Sequence, residues 1–149
     1  MNNCFVNILL FIFITSPPPV ELQICLLDIN GIEHPWIFGY DIKTYDWDNH
    51  TVFIVPDSVE AVVSRSISCS GFSVKIGDTT LYRGMCDLIY NSSIGLKSPT
   101  ILVWKDGVPS IDLKCACFKI YYFGENEDKR SNALLYTYLK KENKLTEKP

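Results

Sequence analysis

Short apolar runs, rich in β-branched and aromatic residues, alternate along this chain with turn signals made of Gly, Pro, Asn and Asp. Such runs, with turns about every 8–12 residues, are typical of the strands of a sandwich or a barrel. The pattern predicts strands at residues 22–29, 36–42, 51–55, 66–76, 85–90, 100–104, 110–123 and 133–139. Residues 59–64 fit either a strand or a short helix, and no segment has a convincing amphipathic helical pattern. We therefore expect an all-β fold.

Two cysteines, Cys115 and Cys117, stand one residue apart in the predicted strand at residues 110–123. Alternate residues of a strand point to the same face, so both side chains are expected to point inward. In a strand they would lie about 7 Å apart, too far to bridge each other easily. Each is therefore expected to reach a different partner on a facing sheet.

The N-terminal segment indicates the compartment. Residues 5–15 form an uncharged apolar run, which is shorter than the about 20 residues of a membrane-spanning helix but suits a secretory signal peptide. The alternative is a buried N-terminal strand. We interpret residues 1–19 as a signal peptide, residues 20–139 as a β-sandwich domain and residues 140–149 as a charged flexible tail. We expect no stable membrane span and a location in the secretory pathway, in the ER lumen or secreted.

Two sequons support this route. Asn49-His50-Thr51 and Asn91-Ser92-Ser93 both match the N-glycosylation motif. Asn49 ranks above Asn91 because it lies in a polar, turn-like segment and has the threonine form of the motif. The sequence predicts glycans at both asparagines.

The cysteine count adds a second expectation. Of six cysteines, Cys4 lies in the predicted signal peptide, which leaves an odd number: Cys25, Cys69, Cys86, Cys115 and Cys117. In an oxidising compartment these predict two disulfides and one spare thiol. The spacing does not fix the pairing. We expect Cys69 to pair with Cys115 or Cys117, and the other of those two to take Cys25 or Cys86. Cys25 is the expected spare because it lies near the mature N-terminus, where an exposed thiol would link two chains into a homodimer.

Charge and motifs disfavour several other classes of function. The net charge of −3 gives no electrostatic basis for binding nucleic acid. The Cys-x-Cys spacing and the two histidines, His34 and His50, suit neither a redox helix nor a zinc site. Asp46 and Asp48 supply few of the about six oxygens that calcium needs. The sequence contains no nucleophile elbow, zinc-protease motif or phosphate-binding loop. We expect no enzyme, no cofactor and no metal.

Four segments in order carry a resemblance to a viral family: "EHP" at 33–35, "HTVFIV" at 50–55, "SRSISCSGF" at 64–72 and "GVPSIDLKC" at 107–115. This order resembles coronavirus accessory glycoproteins, namely the secreted glycoprotein encoded by the last accessory gene of feline and canine coronaviruses. The signal peptide, sequons and cysteines are similar to those of the immunoglobulin-like accessory proteins of SARS-related coronaviruses. The resemblance implies a non-enzymatic protein that modulates host immunity through protein contacts.

These observations favour a small secreted, disulfide-bonded, glycosylated β-sandwich, immunoglobulin-like in class, that binds a host protein. Trp36, Tyr40, Tyr45 and Trp47 are the expected contact aromatics, although some of them must belong to the core. The alternative is a small secreted β-barrel that binds an apolar ligand. A barrel of that kind would have an open central cavity, whereas a sandwich would be filled.

Overall fold

The computed structural model describes residues 20–88 and 98–147. The predicted signal peptide and the second sequon, at Asn91, lie outside these residues. The described elements, in chain order, are β1 Leu22–Leu27, β2 Glu33–Phe38, β3 Ile42–Asp46, β4 Thr51–Ile54, α1 Val59–Ser64, β5 Gly71–Ile76, β6 Thr79–Leu88, β7 Thr100–Val103, β8 Cys117–Tyr121, α2 Ala133–Lys141 and β9 Leu145–Thr146.

Within the described residues, the nine strands form one open mixed sheet in the order β2-β1-β5-β6-β7-β8-β4-β3-β9. Most neighbours are antiparallel, and the β6–β7 and β3–β9 pairs are parallel. Strand β8 joins the two halves, because it pairs with β7 on one side and with β4 on the other. The predicted all-β class is confirmed.

The sheet folds over itself around one core. Strands β2 and β8 stand five places apart in the strand order, yet the rings of Trp36 and Phe118 have centroids 4.9 Å apart. This contact requires the two halves of the sheet to face each other, as in a sandwich. Large side chains fill the space between the halves, among them Trp36, Phe72, Leu26, Ile37, Ile120 and Leu139.

Residues 133–139 form a helix, so the predicted strand there is wrong. The side-chain oxygen of Asn132 accepts hydrogen bonds from the backbone N–H groups of Leu134 and Leu135, at 2.9 and 3.3 Å, and so caps helix α2. Leu135 and Leu139 lie one helical turn apart and are both buried. The cap and this spacing outweigh the strand preference of the intervening tyrosines and threonine.

The segment after residue 139 is part of the domain, so the predicted flexible tail is wrong for residues 140–147. Helix α2 continues to Lys141, and β9 then pairs with β3, with Leu145 opposite Tyr45. The ammonium of Lys144 donates to the backbone oxygen of Ile42. These bonds tie the chain to the edge of the sheet.

Candidate functional site

The turn between β3 and β4 carries the first predicted glycosylation site. Asn49 is exposed there, and its backbone N–H and side-chain amide donate to the carboxylate of Asp46 at 3.0 and 2.8 Å. The next residue, His50, has a φ of +49°, in the left-handed region that closes tight turns. An N-linked glycan replaces one of the two amide hydrogens, so the bond to Asp46 is compatible with glycosylation.

A buried polar cluster lies beneath this turn. His50 is 5% exposed, its Nδ1 is 2.8 Å from the Tyr45 hydroxyl, and its Nε2 is 3.8 Å from the carboxylate of Asp128. Arg130 binds both oxygens of Asp128 and the backbone oxygen of Ile120 in β8. Burial lowers the pKa of His50 to about 4, and the Arg130 guanidinium acts in the same direction. The neutral ring thus ties the Asn49 turn to Tyr45 in β3, while the backbone oxygen of His50 accepts the N–H of Ile120 in β8.

A disulfide joins Cys115 to Cys117, with Cα atoms 5.3 Å apart. The prediction that each reaches a partner on a facing sheet is therefore wrong. Strand β8 begins only at Cys117, and Ala116 has a φ of +50°. Asp112 and Cys117 exchange backbone hydrogen bonds of 2.8 and 3.1 Å across the resulting turn. This turn, absent from an extended strand, brings the two Cα atoms within the range of a disulfide.

Cys69 lies beside Cys86, not beside Cys115 or Cys117 as predicted. The Sγ atoms of Cys69 and Cys86 are 2.7 Å apart. The reason is strand order: β5 and β6 are adjacent, Cys69 lies two residues before β5, and Cys86 lies in β6.

Cys25 is only 3% exposed, in β1 between β2 and β5. Burial raises the pKa of its thiol, and the nearby Glu33 carboxylate acts in the same direction. A thiol that is buried and protonated is a poor nucleophile. The expectation of an exposed Cys25 that links two chains is wrong for the folded domain, because β1 is an interior strand and not a loose chain end.

The four predicted contact aromatics separate into different environments. Trp36 and Tyr45 are buried in the core. Trp47 is half-buried and packs edge-on against Tyr136, with ring centroids 5.1 Å apart. Only Tyr40 among the four is mostly exposed. Strand position therefore assigns most of this set to the interior.

Three loops meet at one end of the fold, at residues 28–32, 66–70 and 104–108. The hydroxyl of Ser70 donates to the backbone oxygen of Asp28 at 3.0 Å, which joins the first two loops. The backbone N–H of Cys69 donates to the oxygen of Gly107 at 3.1 Å, which joins the second loop to the third. Gly107 has a φ of +78°, and a Cβ there would lie 2.4 Å from Ser68 Oγ. Glycine thus permits both the turn and the close approach.

The first and third of these loops present apolar side chains to solvent. Ile29 is 91% exposed, Ile32 57% and Trp104 49%. We call Ile29, Ile32 and Trp104 the loop-end surface. Sequence reasoning missed it, since it assigned Ile29 and Trp104 to strands. The signal available was that each stands within two residues of a glycine-containing turn pair, Asn30-Gly31 and Asp106-Gly107.

The loop-end surface and the Asn49 turn lie at opposite ends of β7. At the first end of β7, Thr100 pairs with Tyr121, and the neighbouring Ile120 donates its backbone N–H to the oxygen of His50 at 3.0 Å. Trp104 directly follows the other end of β7. The candidate glycosylation site is therefore separated from the exposed apolar side chains by the length of the strand.

One histidine considered in the sequence analysis, His34, lies near the loop-end surface beside Asp28. The Nε2 atom of His34 is 3.0 Å from the carboxylate of Asp28, which also accepts backbone N–H groups from Asn30 and Ile32. The hydrogen bond from His34 lowers the pKa of Asp28, and the bond from Ile32 adds to this effect. These contacts shape the loop at residues 28–32.

Among residues 20–88 and 98–147, no group of three or more His, Cys, Asp and Glu side chains is arranged to hold a metal ion. Asp46, considered for calcium, is bonded to Asn49. Across the same ranges, no helix has both the length and the apolar character needed to cross a bilayer.

No family model, curated protein or solved structure matches this chain. The class that the fold defines is a small all-β sandwich with a disulfide. An immunoglobulin-like relationship stays a prediction.

Proposed function

We propose that this chain is a secreted, N-glycosylated protein that binds a host protein without catalysis and thereby modulates host immunity, as its resemblance to coronavirus accessory glycoproteins implies. The observation that carries the proposal is the placement of an exposed sequon and an exposed apolar surface at opposite ends of β7. A glycan on Asn49 would leave the loop-end surface uncovered.

The loop-end surface has the chemistry of a protein contact. Ile29 and Trp104 extend from loops that are each hydrogen-bonded to the loop at residues 66–70, so little conformational entropy is lost on binding. Full burial of one such side chain is worth about 1.5–3 kcal/mol. Tryptophan is also enriched among the residues that dominate binding energies.

Separate features support the proposed compartment. The apolar run at residues 5–15 suits a signal peptide, and the Asn49 sequon is accessible on a turn. A disulfide at Cys115 and Cys117 is stable in the oxidising ER lumen or outside the cell. These features support passage through the secretory pathway.

The alternative, a β-barrel with an apolar ligand, gains no support. Strands β2 and β9 stand at the two ends of the sheet order within the described residues. Trp36 and Phe72 fill the space between the sheet halves, where a barrel would have its cavity.

The test compares secreted variants in cultured host cells. Full-length chain, expressed in mammalian cells, is recovered from the medium and assayed with a reporter of innate immune signalling. The double variant Ile29→Asp with Trp104→Ala should lose most of the effect on the reporter. Leu134→Asp is the matched control, because Leu134 is also exposed but lies beside Ile76 and Thr79, at the far end of β5 and β6. Equal activity of both variants would rule out the loop-end surface, and absence of the chain from the medium would rule out secretion.

The non-catalytic part of the proposal has its own test. His34→Gln removes the imidazole but keeps a side-chain N–H that donates to Asp28, so it should leave the loop at residues 28–32 and the reporter effect intact. A large loss of effect in a variant that is still folded and secreted would favour a chemical role for this side chain instead.

A further inference from the structure

The Sγ atoms of Cys69 and Cys86 are closer than two unbonded sulfur atoms but farther apart than in a disulfide. The 2.7 Å between the Sγ atoms of Cys69 and Cys86 exceeds the about 2.0 Å of a disulfide. It is well below the roughly 3.5–4.0 Å at which unbonded heavy atoms rest. We propose that Cys69 and Cys86 form a second intrachain disulfide, in addition to the one between Cys115 and Cys117.

The backbone already holds both residues in place. The N–H of Cys86 donates to the oxygen of Ser70 at 3.2 Å, and Gly71 stands opposite Met85 in the β5–β6 ladder. On its other side, the N–H of Cys69 donates to Gly107. The two residues therefore lie on adjacent antiparallel segments, and the bond forms with a small movement of the side chains alone.

Thiol–disulfide exchange with a small disulfide such as oxidised glutathione supplies the oxidant. One thiolate of the pair attacks a glutathione sulfur, which forms a mixed disulfide and releases one glutathione thiolate. The second thiolate then attacks the protein sulfur of that mixed disulfide and releases the other glutathione thiolate. The two protons from the cysteines end on the two glutathione molecules. The hydrogen bond with Cys86 lowers the pKa of Cys69, which favours the thiolate form that starts the exchange.

The bond has a structural consequence beyond the β5–β6 pair. It joins the loop at residues 66–70 covalently to β6, and that loop holds the loop at 104–108 through Gly107. The position of Trp104 in the loop-end surface is thereby linked to the oxidation of this cysteine pair. The chemistry of the bond does not depend on the proposed function, because any oxidising buffer tests it.

Peptide mapping of the full chain is the experiment. The reduced chain is folded in a buffer of reduced and oxidised glutathione, blocked with N-ethylmaleimide at low pH, and digested with trypsin without reduction. Cleavage after lysine and arginine gives residues 66–75 with Cys69, residues 84–97 with Cys86, and residues 115–119 with the other pair. We expect residues 66–75 and 84–97 to be recovered as one cross-linked species, and residues 115–119 as an internally bonded peptide.

Two results would overturn the proposal. The first is N-ethylmaleimide on both peptides, residues 66–75 and 84–97, in a sample in which the disulfide within residues 115–119 has formed. The second is a cross-link from either of these two peptides to residues 115–119. In the Cys86→Ser variant, Cys69 should become labelled, and native trypsin should cleave after Lys105 several-fold faster. Cys25→Ser is the matched control, because Cys25 is buried in β1 and its loss should leave the cross-linked species unchanged. The wild-type map decides the question even if a variant does not fold.

Discussion

The hydroxyl of Tyr45 lies 2.8 Å from Nδ1 of His50, across the turn that carries Asn49. This bond joins the last part of β3 to the residue before β4 and lies within the core. Burial raises the pKa of Tyr45 and lowers that of His50, so both groups are neutral at neutral pH. The contact makes the turn sensitive to acid, because protonation of the imidazole places a charge in a buried site.

The first prediction concerns stability against pH. The folded chain holds the pKa of His50 at about 4, against 6.5 ordinarily, so the unfolded chain binds the proton more readily between these values. The contribution of His50 to the free energy of unfolding is complete above pH 6.5 and is lost as the pH falls towards 4. Solvent screening reduces the effect of the pKa shift, so the expected loss of unfolding free energy is on the order of 2 kcal/mol. Urea unfolding at about pH 7 and about pH 4.5 measures it.

The control for this prediction is His50→Asn. Asparagine tolerates the left-handed backbone at this position, keeps the sequon and does not titrate. The variant should lose the pH dependence in this window. The pKa of Asp128 is lowered from 3.8 in the folded chain, so its contribution to stability is lost only below about pH 3.8. Asp128 therefore does not affect the comparison between about pH 7 and about pH 4.5. An unchanged slope in the variant would contradict the assignment to His50.

The second prediction concerns a buried ion pair. Asp41 is 1% exposed, and its Oδ2 accepts the N–H of Phe38 at 2.9 Å and the guanidinium of Arg65 at 2.5 Å. Arg65→Ala leaves this carboxylate buried without its cation, so we expect a loss of about 3 kcal/mol in unfolding free energy. Lys75→Ala breaks a partly exposed pair with Glu33 and should cost less than about 1 kcal/mol. Similar losses in the two variants, measured by denaturant titration, would contradict the structure at Asp41.

The third prediction concerns the glycan. Asn49→Gln should lower the mass of chain secreted from mammalian cells by one glycan, because the wild-type amide is exposed on a turn. Asn126→Gln changes an exposed asparagine outside any sequon and should leave the glycan mass unchanged. Intact mass before and after enzymatic deglycosylation gives the answer. No mass difference between wild type and Asn49→Gln would show that the site is unused.

The fourth prediction tests whether the C-terminal segment is docked. Leu145 in β9 packs partly buried against the core, whereas Leu134 on α2 is largely exposed. Leu145→Ala should lower the unfolding free energy by about 1–2 kcal/mol, and Leu134→Ala by less than about 0.5 kcal/mol. Thermal or urea unfolding compares them. If Leu145→Ala behaves like Leu134→Ala, β9 contributes nothing to stability.

Local chemistry explains which elements could be predicted from sequence. The run predicted at residues 22–29 became β1 Leu22–Leu27, and the run at 51–55 became β4 Thr51–Ile54. The Asn30-Gly31 pair follows β1 and forms a turn, with a φ of +76° at the glycine. Strand alternation and left-handed turn positions involve near neighbours only, so they can be read directly from the chain.

Strand β3 and helix α2 were missed for identifiable reasons. Strand β3 was absent from the predicted strands, because a register shift between Ile42 and Thr44 breaks the alternation of apolar residues. Helix α2 was assigned to a strand, although the Asn132 cap and the spacing of Leu135 and Leu139 were visible in the sequence. Helix α2 could be predicted from the sequence if the Asn132 cap were given more weight than the β-propensity of the residues that follow it.

The amino-acid sequence by itself determined the all-β class, several strand boundaries, the turn pairs and the exposed, turn-like setting of Asn49, since each depends on neighbouring residues. The tertiary structure alone decided the cysteine neighbours and the exposed surface. Cys69 meets Cys86 because β5 lies beside β6, while Cys25 is buried because β1 lies between two strands. Ile29 and Trp104 share one end of the fold because hydrogen bonds join loops distant in the chain. Contacts of this kind depend on how strands are ordered and how the sheet folds over its core, and no local pattern of residues encodes that order.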